Sequence, residues 1–410
     1  MALIDSPAQL ASALLVYLAG LLIALAVGKR LQIPNRRSFL LYVWHSLFCV
    51  FYAVYAITNG ADALVYYIKA ANGEFMLSVG TGAVVSIATL FVTGLNLSFL
   101  GACLLFNIFG SIGLLAFDAS LRSATADKSR LIRRFATLIV LLPSISFWTA
   151  ALGKDSLAFM ATGLALWAAM NMKRRALLMA GAVLVMLLVR PHIAGTMVIA
   201  LTGSLVIQRK IPLPQRLLLG GLALGATAAM IPFALNYAGV GEGAGADDLV
   251  SYVEQRQSVN TQGGSSIDIA SMSLPLQLYS YLFRPLPFEA TSVFALAASA
   301  DNVILLFLFI AGGMNMLKRR KHASDSNRAF LWLYSILAWV ILSMTTANLG
   351  ISVRQKWMFA PMLIFLFISL LGKSRQRRRA VASGTGSPAR KPSSGAGTGA
   401  GAHAATVSES

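Results

Sequence analysis

Charged side chains are scarce in this sequence, and those that interrupt its long apolar runs fall in a few settings where they can do chemistry. Asp62 lies in ITNGADALVYYIKA, with Tyr66 and Tyr67 close behind. A carboxylate placed there can take a proton from a sugar hydroxyl or bind a divalent cation. It can equally cap a helix that follows the Asn59–Gly60 turn. In LPSISFWTAALGKDSLAF, Lys154 and Asp155 set opposite charges side by side at a tight turn. Such a pair can hold and orient a phosphate; alternatively Asp155 caps the helix starting at Ser156 while Lys154 reaches lipid headgroups.

Arg190, Pro191 and His192 follow the apolar run ending MLLV. Arginine suits bidentate phosphate contacts, and histidine transfers protons near neutral pH. A lone arginine at such a position also serves as a lipid anchor. YLFRPLPFEA places Arg284 and Glu289 in a stiff, proline-bracketed loop, either as phosphate ligands or as a structural ion pair. TTANLGISVRQKWMF brings Arg354 and Lys356 together after a turn at Gly350. Two cations so close suit a pyrophosphate, or anchor headgroups. The candidate catalytic residues are therefore Asp62, Arg190 and His192. The candidate substrate and phosphate ligands are Lys154, Asp155, Arg284, Glu289, Arg354 and Lys356.

No nucleotide-binding loop, HExxH, GxSxG or zinc-ligand spacing appears. Cys49 and Cys103 sit in apolar runs and read as small buried hydrophobes. The reading includes no bound cofactor beyond a divalent cation at a carboxylate such as Asp62. Any chemistry would act on lipid-borne substrates.

The elements that must position these residues are membrane helices. The chain is 57% hydrophobic and only 12% charged, about half the charged fraction usual in soluble proteins. Such a chain has too little polar surface to stay wet outside, so the fold class is all-α, a polytopic transmembrane helix bundle. Apolar stretches near 9–28, 39–57, 95–117, 135–153, 155–172, 176–189, 193–208, 216–235, 300–317, 329–346 and 356–372 predict about eleven crossings. The first lacks a basic leading region and reads as a retained helix.

A net charge of +19 would suggest nucleic acid in a soluble protein, but its distribution argues against that. The basic residues concentrate between apolar runs: Lys29 to Arg37, Arg122 to Arg134, Lys173 to Arg175, Arg209 to Arg216, Lys318 to Arg328, and the tail. Short loops rich in Lys and Arg stay cytoplasmic, so the charge reports topology, with some attraction to anionic lipid. The N-terminus then lies outside and the C-terminus inside. Residues 76–93 are apolar enough for a further crossing, but a crossing there would put every later basic cluster outside. Parity favours a helix that lies in the interface or re-enters, with Gly80, Thr81 and Gly82 at its start; the competing topology has a true span here and the other N-terminal orientation.

Residues 1–372 thus read as one multi-pass domain with a large outer loop at about 236–290, and 373–410 as a basic tail too poor in apolar residues to fold. Lys69, Lys154, Arg190, Arg256, Arg284, Arg354 and Lys356 remain on the outer face, where topology does not account for them. An outward cavity lined by both signs is the expectation.

The outer Asp-plus-tyrosines loop, PSISFWTAALGKDS, RPH, FRPLPFEA and the NLG…RQK…P close together resemble bacterial exopolysaccharide membrane proteins. They are similar to EpsG and Wzy-type repeat-unit polymerases, and more loosely to GT-C glycosyltransferases of the mannosyltransferase kind. The resemblance spans about residues 40–372 as scattered short motifs. It implies the bacterial inner membrane, a polyprenyl-phosphate-linked glycan as substrate and transfer at the outer face. It also implies contacts with membrane lipids and other polysaccharide-synthesis membrane proteins, but none with nucleic acid. By motif position Asp62 matches the first-loop acid of the GT-C enzymes, although Ala63 stands where a second acid is common. Arg190, Arg284 and Arg354 match the outward arginines of a polymerase. A transporter or flippase of the same glycans, and a non-catalytic scaffold of a synthesis complex, are the alternatives.

Overall fold

The computed structural model describes residues 2–207, 272–317 and 327–372, with Pro214, Gly221 and Gly225 singly. The expected crossing at 216–235, the outer loop as far as residue 271 and the tail lie outside the described residues. Every regular element among the described residues is helical. The helices are α1 (Pro7–Arg30), α2 (Asn35–Asn59), α3 (Asp62–Ala71), α4 (Thr81–Leu95), α5 (Phe99–Thr125), α6 (Arg130–Val140), α7 (Pro143–Thr149), α8 (Lys154–Ala169), α9 (Met172–Val189) and α10 (Pro191–Ile207). Beyond the gap come α11 (Leu274–Phe283), a 3-10 turn (Pro287–Glu289), α12 (Val293–Leu317), α13 (Arg328–Thr345), α14 (Leu349–Gln355), a 3-10 turn (Lys356–Met358) and α15 (Ala360–Leu370).

Six of these segments are long and apolar enough to cross a membrane: α1, α2, α5, α6 with α7, α12 and α13. The bent pair formed by α14 and α15, with the 3-10 turn between them, makes a seventh if it is one span. This is the architecture of an α-helical, multi-pass membrane protein. Helices α8, α9 and α10 also stand where crossings are expected. α8 and α10 fall short of the length of a full span, and Lys173, Arg174 and Arg175 crowd the start of α9.

Prolines set the breaks. Pro143 lacks the N–H that would bond Ile139, so the expected 135–153 crossing divides into α6 and α7. Pro191 keeps Arg190 out of helical geometry, at φ −145° and ψ 72°, and separates α9 from α10. Pro361 cannot bond Trp357, and the last span bends by 66° there. The Met358 carbonyl freed by that bend accepts hydrogen bonds from Thr162 Oγ1 at 2.7 Å and Tyr334 Oη at 2.8 Å. A broken helix survives in lipid only when its neighbours satisfy its backbone in this way.

α5 is the centre of the bundle, buried along most of its length. It meets α8 through glycines: a Cβ on Gly163 would come within 2.5 Å of the Gly113 carbonyl oxygen, and one on Gly113 within 2.9 Å of the Met160 backbone. Without water to drive helix association, such close backbone approach provides the packing. Gly163→Val is therefore expected to lose about 1–3 kcal/mol or more. Thermal unfolding in detergent checks this; an unchanged midpoint would count against the glycine contact.

Contacts between helix termini define two ends. At one, Arg37 pairs with Asp118 at 2.6 Å, Arg122 reaches the Gln32 carbonyl, the Asn327 N–H bonds Ala169 and Arg328 bonds Ser369. The described basic residues of the Lys29 to Arg37, Arg122 to Arg134 and Lys173 to Arg175 clusters belong to the helix ends and turns gathered there. At the opposite end the termini of α2, α3, α8, α9, α10 and α14 carry both signs of charge.

α4 both begins and finishes at this second, mixed end. The N–H of Gly80 bonds the Leu188 carbonyl near the end of α9, while Asn96 accepts from Ser12 and Leu97 from Tyr67. Both termini at one end fit a helix that does not cross, the arrangement that the parity of the basic clusters favours. Cysteines introduced at Asn72 and Asn96 are accordingly expected to react with a membrane-impermeant maleimide from the same side. Labelling from opposite sides would mean that α4 crosses.

Candidate functional site

Four residues far apart in sequence, Asp62, Asp155, Arg190 and Arg354, meet at the mixed end. Asp155 is in the first turn of α8 with its side chain 7% exposed, and a guanidinium lies on each of its oxygens. Arg190 Nη2 donates to Oδ1 at 2.9 Å, and Arg354 Nε donates to Oδ2. Arg354 then reaches outward, its Nη1 and Nη2 each donating to Asp62 Oδ2 at 3.2 Å. Arg354 sits between the two carboxylates, one buried and one with 57% of its side chain exposed.

Local structure explains each placement. Asp62 opens α3 but does not cap it: Ala61 is the N-cap and no side-chain bond closes the turn. Its carboxylate is thus directed to Arg354 in place of the expected backbone role. Asp155 likewise leaves the cap of α8 to Gly153. Arg190 owes its position at the α9–α10 junction to Pro191, and Arg354 lies in the last turn of α14 just before the break.

The donors of this network outnumber its acceptors. Lys154 lies beside it, close enough to feel all four charges, but makes no ion pair among the described residues. Arg190 Nε and the Tyr281 hydroxyl are buried and have no hydrogen-bond partner among the described residues. Tyr281, only 3% exposed, faces the charges of Arg190 and Asp155. Three cations and two carboxylates leave the group one positive charge in excess. Tyr52, 6% exposed, lies within reach of Arg354, Asp155 and Asp62 and joins an aromatic group with Phe147 and Trp148.

The other candidates lie elsewhere. His192 is the second residue of α10 and part-buried. Arg284 and Glu289 pair with each other, Nε to Oε1 at 2.8 Å, while Glu289 Oε2 accepts the Leu286 N–H at 2.8 Å. This is the structural reading of FRPLPFEA, a loop closed on itself. Burial pushes the Glu289 carboxyl up, but the hydrogen bonds and charge of Arg284, with the Leu286 N–H, hold it below the usual range. A depressed carboxylate contributes stability above its unfolded pKa of about 4.3, and the contribution disappears as pH falls through the folded value. The wild type is expected to unfold at a higher temperature than Glu289→Gln at neutral pH, by a margin under about 1 kcal/mol. The two unfolding temperatures in detergent should converge as pH falls through the depressed folded value; a margin that persists once the carboxyl is protonated would show that the charge is not its source.

Lys356, expected beside Arg354 in the cavity, points the other way. It is wholly buried, its Nζ bonded to Asn302 Oδ1 and facing the charge of Asp301. Asp301 and Asn302 sit inside α12, which begins at Val293, well before the expected 300. The sequence signal was present: a carboxylate within ASADNVILLFL is an ionisable group in a membrane segment, which needs a partner.

Among the described residues no three His, Cys, Asp or Glu side chains come together at metal-ligand spacing. Comparison with protein-family models, with curated proteins and with solved structures finds no match.

Proposed function

We propose that this chain is a glycosyltransferase of the bacterial inner membrane, a polysaccharide polymerase or related enzyme using lipid-linked sugars at the periplasmic face. The topology that goes with this reading has eleven crossings, the N-terminus outside and the mixed end in the periplasm. The single observation that carries it is the donor-rich, net-positive group around Arg190 and Lys154, with an exposed carboxylate on its rim. Spare N–H and O–H donors call for a ligand with several acceptor oxygens and negative charge, such as a phosphoryl group. The basic residues of the opposite end favour the cytoplasm for that end.

In this reading an acceptor hydroxyl forms a bond to the anomeric carbon of the donor sugar. The bond from that carbon to the phosphate oxygen breaks, and its electron pair leaves with the polyprenyl phosphate or pyrophosphate. Arg190 and Lys154 stabilise the charge that develops there. Asp62 takes the hydroxyl proton; when phosphate competes for Arg354, the carboxylate is released for that task.

Lipid-linked glycans extracted from a deletion strain carrying wild type, Asp62→Asn or Arg190→Ala test the assignment. The expected result is normal protein in the membrane, no polymer, and single repeat units accumulating on the outer face. Wild-type polymer length in both variants would sink the site. Repeat units lacking one sugar would identify a single-residue transferase. One observation favours a second reading, a transporter of the same glycans: Lys356 and Asp301 are ionisable groups buried inside the bundle, as along transport paths. Accumulation on the inner face would decide for it.

A further inference from the structure

We infer that Lys356 is a positioning residue, the head of a buried strut that presents Arg354 to Asp155 and Asp62. The inference rests on the transferase reading only for its consequence in activity; its geometric content is independent. Lys356 opens the 3-10 turn two residues after Arg354, at the bend of the last span. On a helical path, two residues point to nearly opposite sides. Arg354 faces α3 and α8, and Lys356 faces α12. The ammonium is bonded to Asn302, and Asn302 is itself fixed, its Nδ2 donating to the Pro285 carbonyl at 2.9 Å. The neighbouring Asp301 accepts the Ser144 N–H at 3.0 Å and supplies the countercharge. Two residues beyond Lys356, Thr162 and Tyr334 hold the Met358 carbonyl. The bend is therefore tied to α7, α8, α12, α13 and the loop at Pro285.

Energetics argue against simple stabilisation. Burying two opposite charges costs several kcal/mol per ion in desolvation, and well-packed apolar side chains of similar volume usually do as well or better. Between two apolar helices, leucine or methionine would fill the space of Lys356. What a charged, hydrogen-bonded head adds is a fixed direction: it sets which way the backbone turns at the break, and so where Arg354 points. Groups that orient metal ligands from behind change activity by about 10–100-fold when removed, and an effect of that order is the one expected for a group that orients an arginine.

The test uses the full chain with Cys49 and Cys103 replaced by alanine and cysteines at positions 62 and 354, joined by a short bis-maleimide. It compares Lys356 with the doubly neutral variant Lys356→Met/Asp301→Asn, which leaves no uncompensated charge behind. The expected result is cross-linking reduced about tenfold, with the unfolding temperature in detergent unchanged. In the otherwise native chain, the same double substitution should reduce polymer similarly, and should reduce it no further when Arg354→Ala is already present. Cross-linking at the rate of the Lys356 protein overturns the inference. So does a loss of cross-linking that comes with a lowered unfolding temperature, which would make the cluster ordinary core packing. If cross-linking falls while Arg354→Ala leaves polymer normal, the strut stands and the transferase reading fails.

Discussion

Asp155→Ala is expected to cost the protein stability and product together, with a loss of about 3–5 kcal/mol. The carboxylate is 7% exposed and accepts from Arg190, whose Nε has no acceptor among the described residues. Removing it leaves two guanidinium groups facing each other at the end of the bundle. Their repulsion, and the missing acceptor, are both felt in a region that excludes most water. Thermal unfolding in detergent measures the effect. Adding Arg354→Ala to Asp155→Ala should cost less than the two single losses together, because the two residues share one interaction. A midpoint equal to wild type would mean that the two arginines have other partners in the membrane-embedded protein.

Arg354→Lys is expected to leave the fold nearly intact and reduce product about a hundredfold or more. Arg354 uses its Nε toward Asp155 and both terminal nitrogens toward Asp62. An ammonium is a compact point charge without the planar fork whose Nε and terminal nitrogens span the two carboxylates, so the bridge between the buried and exposed acids is lost. Polymer yield in the complemented strain, read against membrane protein level, checks it. Wild-type polymer from Arg354→Lys would show that charge alone matters and that the bridge is incidental. The contrast with Asp155→Ala is the useful one: the buried carboxylate should appear in both stability and activity, and the bridging arginine mainly in activity.

The sequence by itself determined the class of the molecule and the rough places of its helices. Apolar run length and the sorting of basic residues are local properties, readable without knowing what touches what. For the same reason the stretch at 76–93 could be read as a helix that does not cross. Counting charge clusters on either side favours that place over a crossing with the other N-terminal orientation, and the contacts of Gly80 and Asn96 at one end of the bundle fit it. Pro191 likewise separates two expected spans by chemistry alone, since a residue without an N–H cannot continue the helix, whereas the expected spans 135–153 and 356–372 run through Pro143 and Pro361, where the structure breaks.

Pairing was decided only by the tertiary structure. Asp62 and Asp155 each had a credible helix-cap role from their neighbours, and nothing local said that Arg354 would claim both. Arg354 and Lys356, two residues apart, looked like one phosphate clamp. The helical path sends their side chains to opposite sides, one into the site and one into the core. Tyr281 offered no signal at all, because an unpartnered hydroxyl is a property of its surroundings. Electrostatic partnership depends on distances of a few ångströms between helices that meet only after the bundle has formed, and the order of residues along the chain does not encode those distances directly.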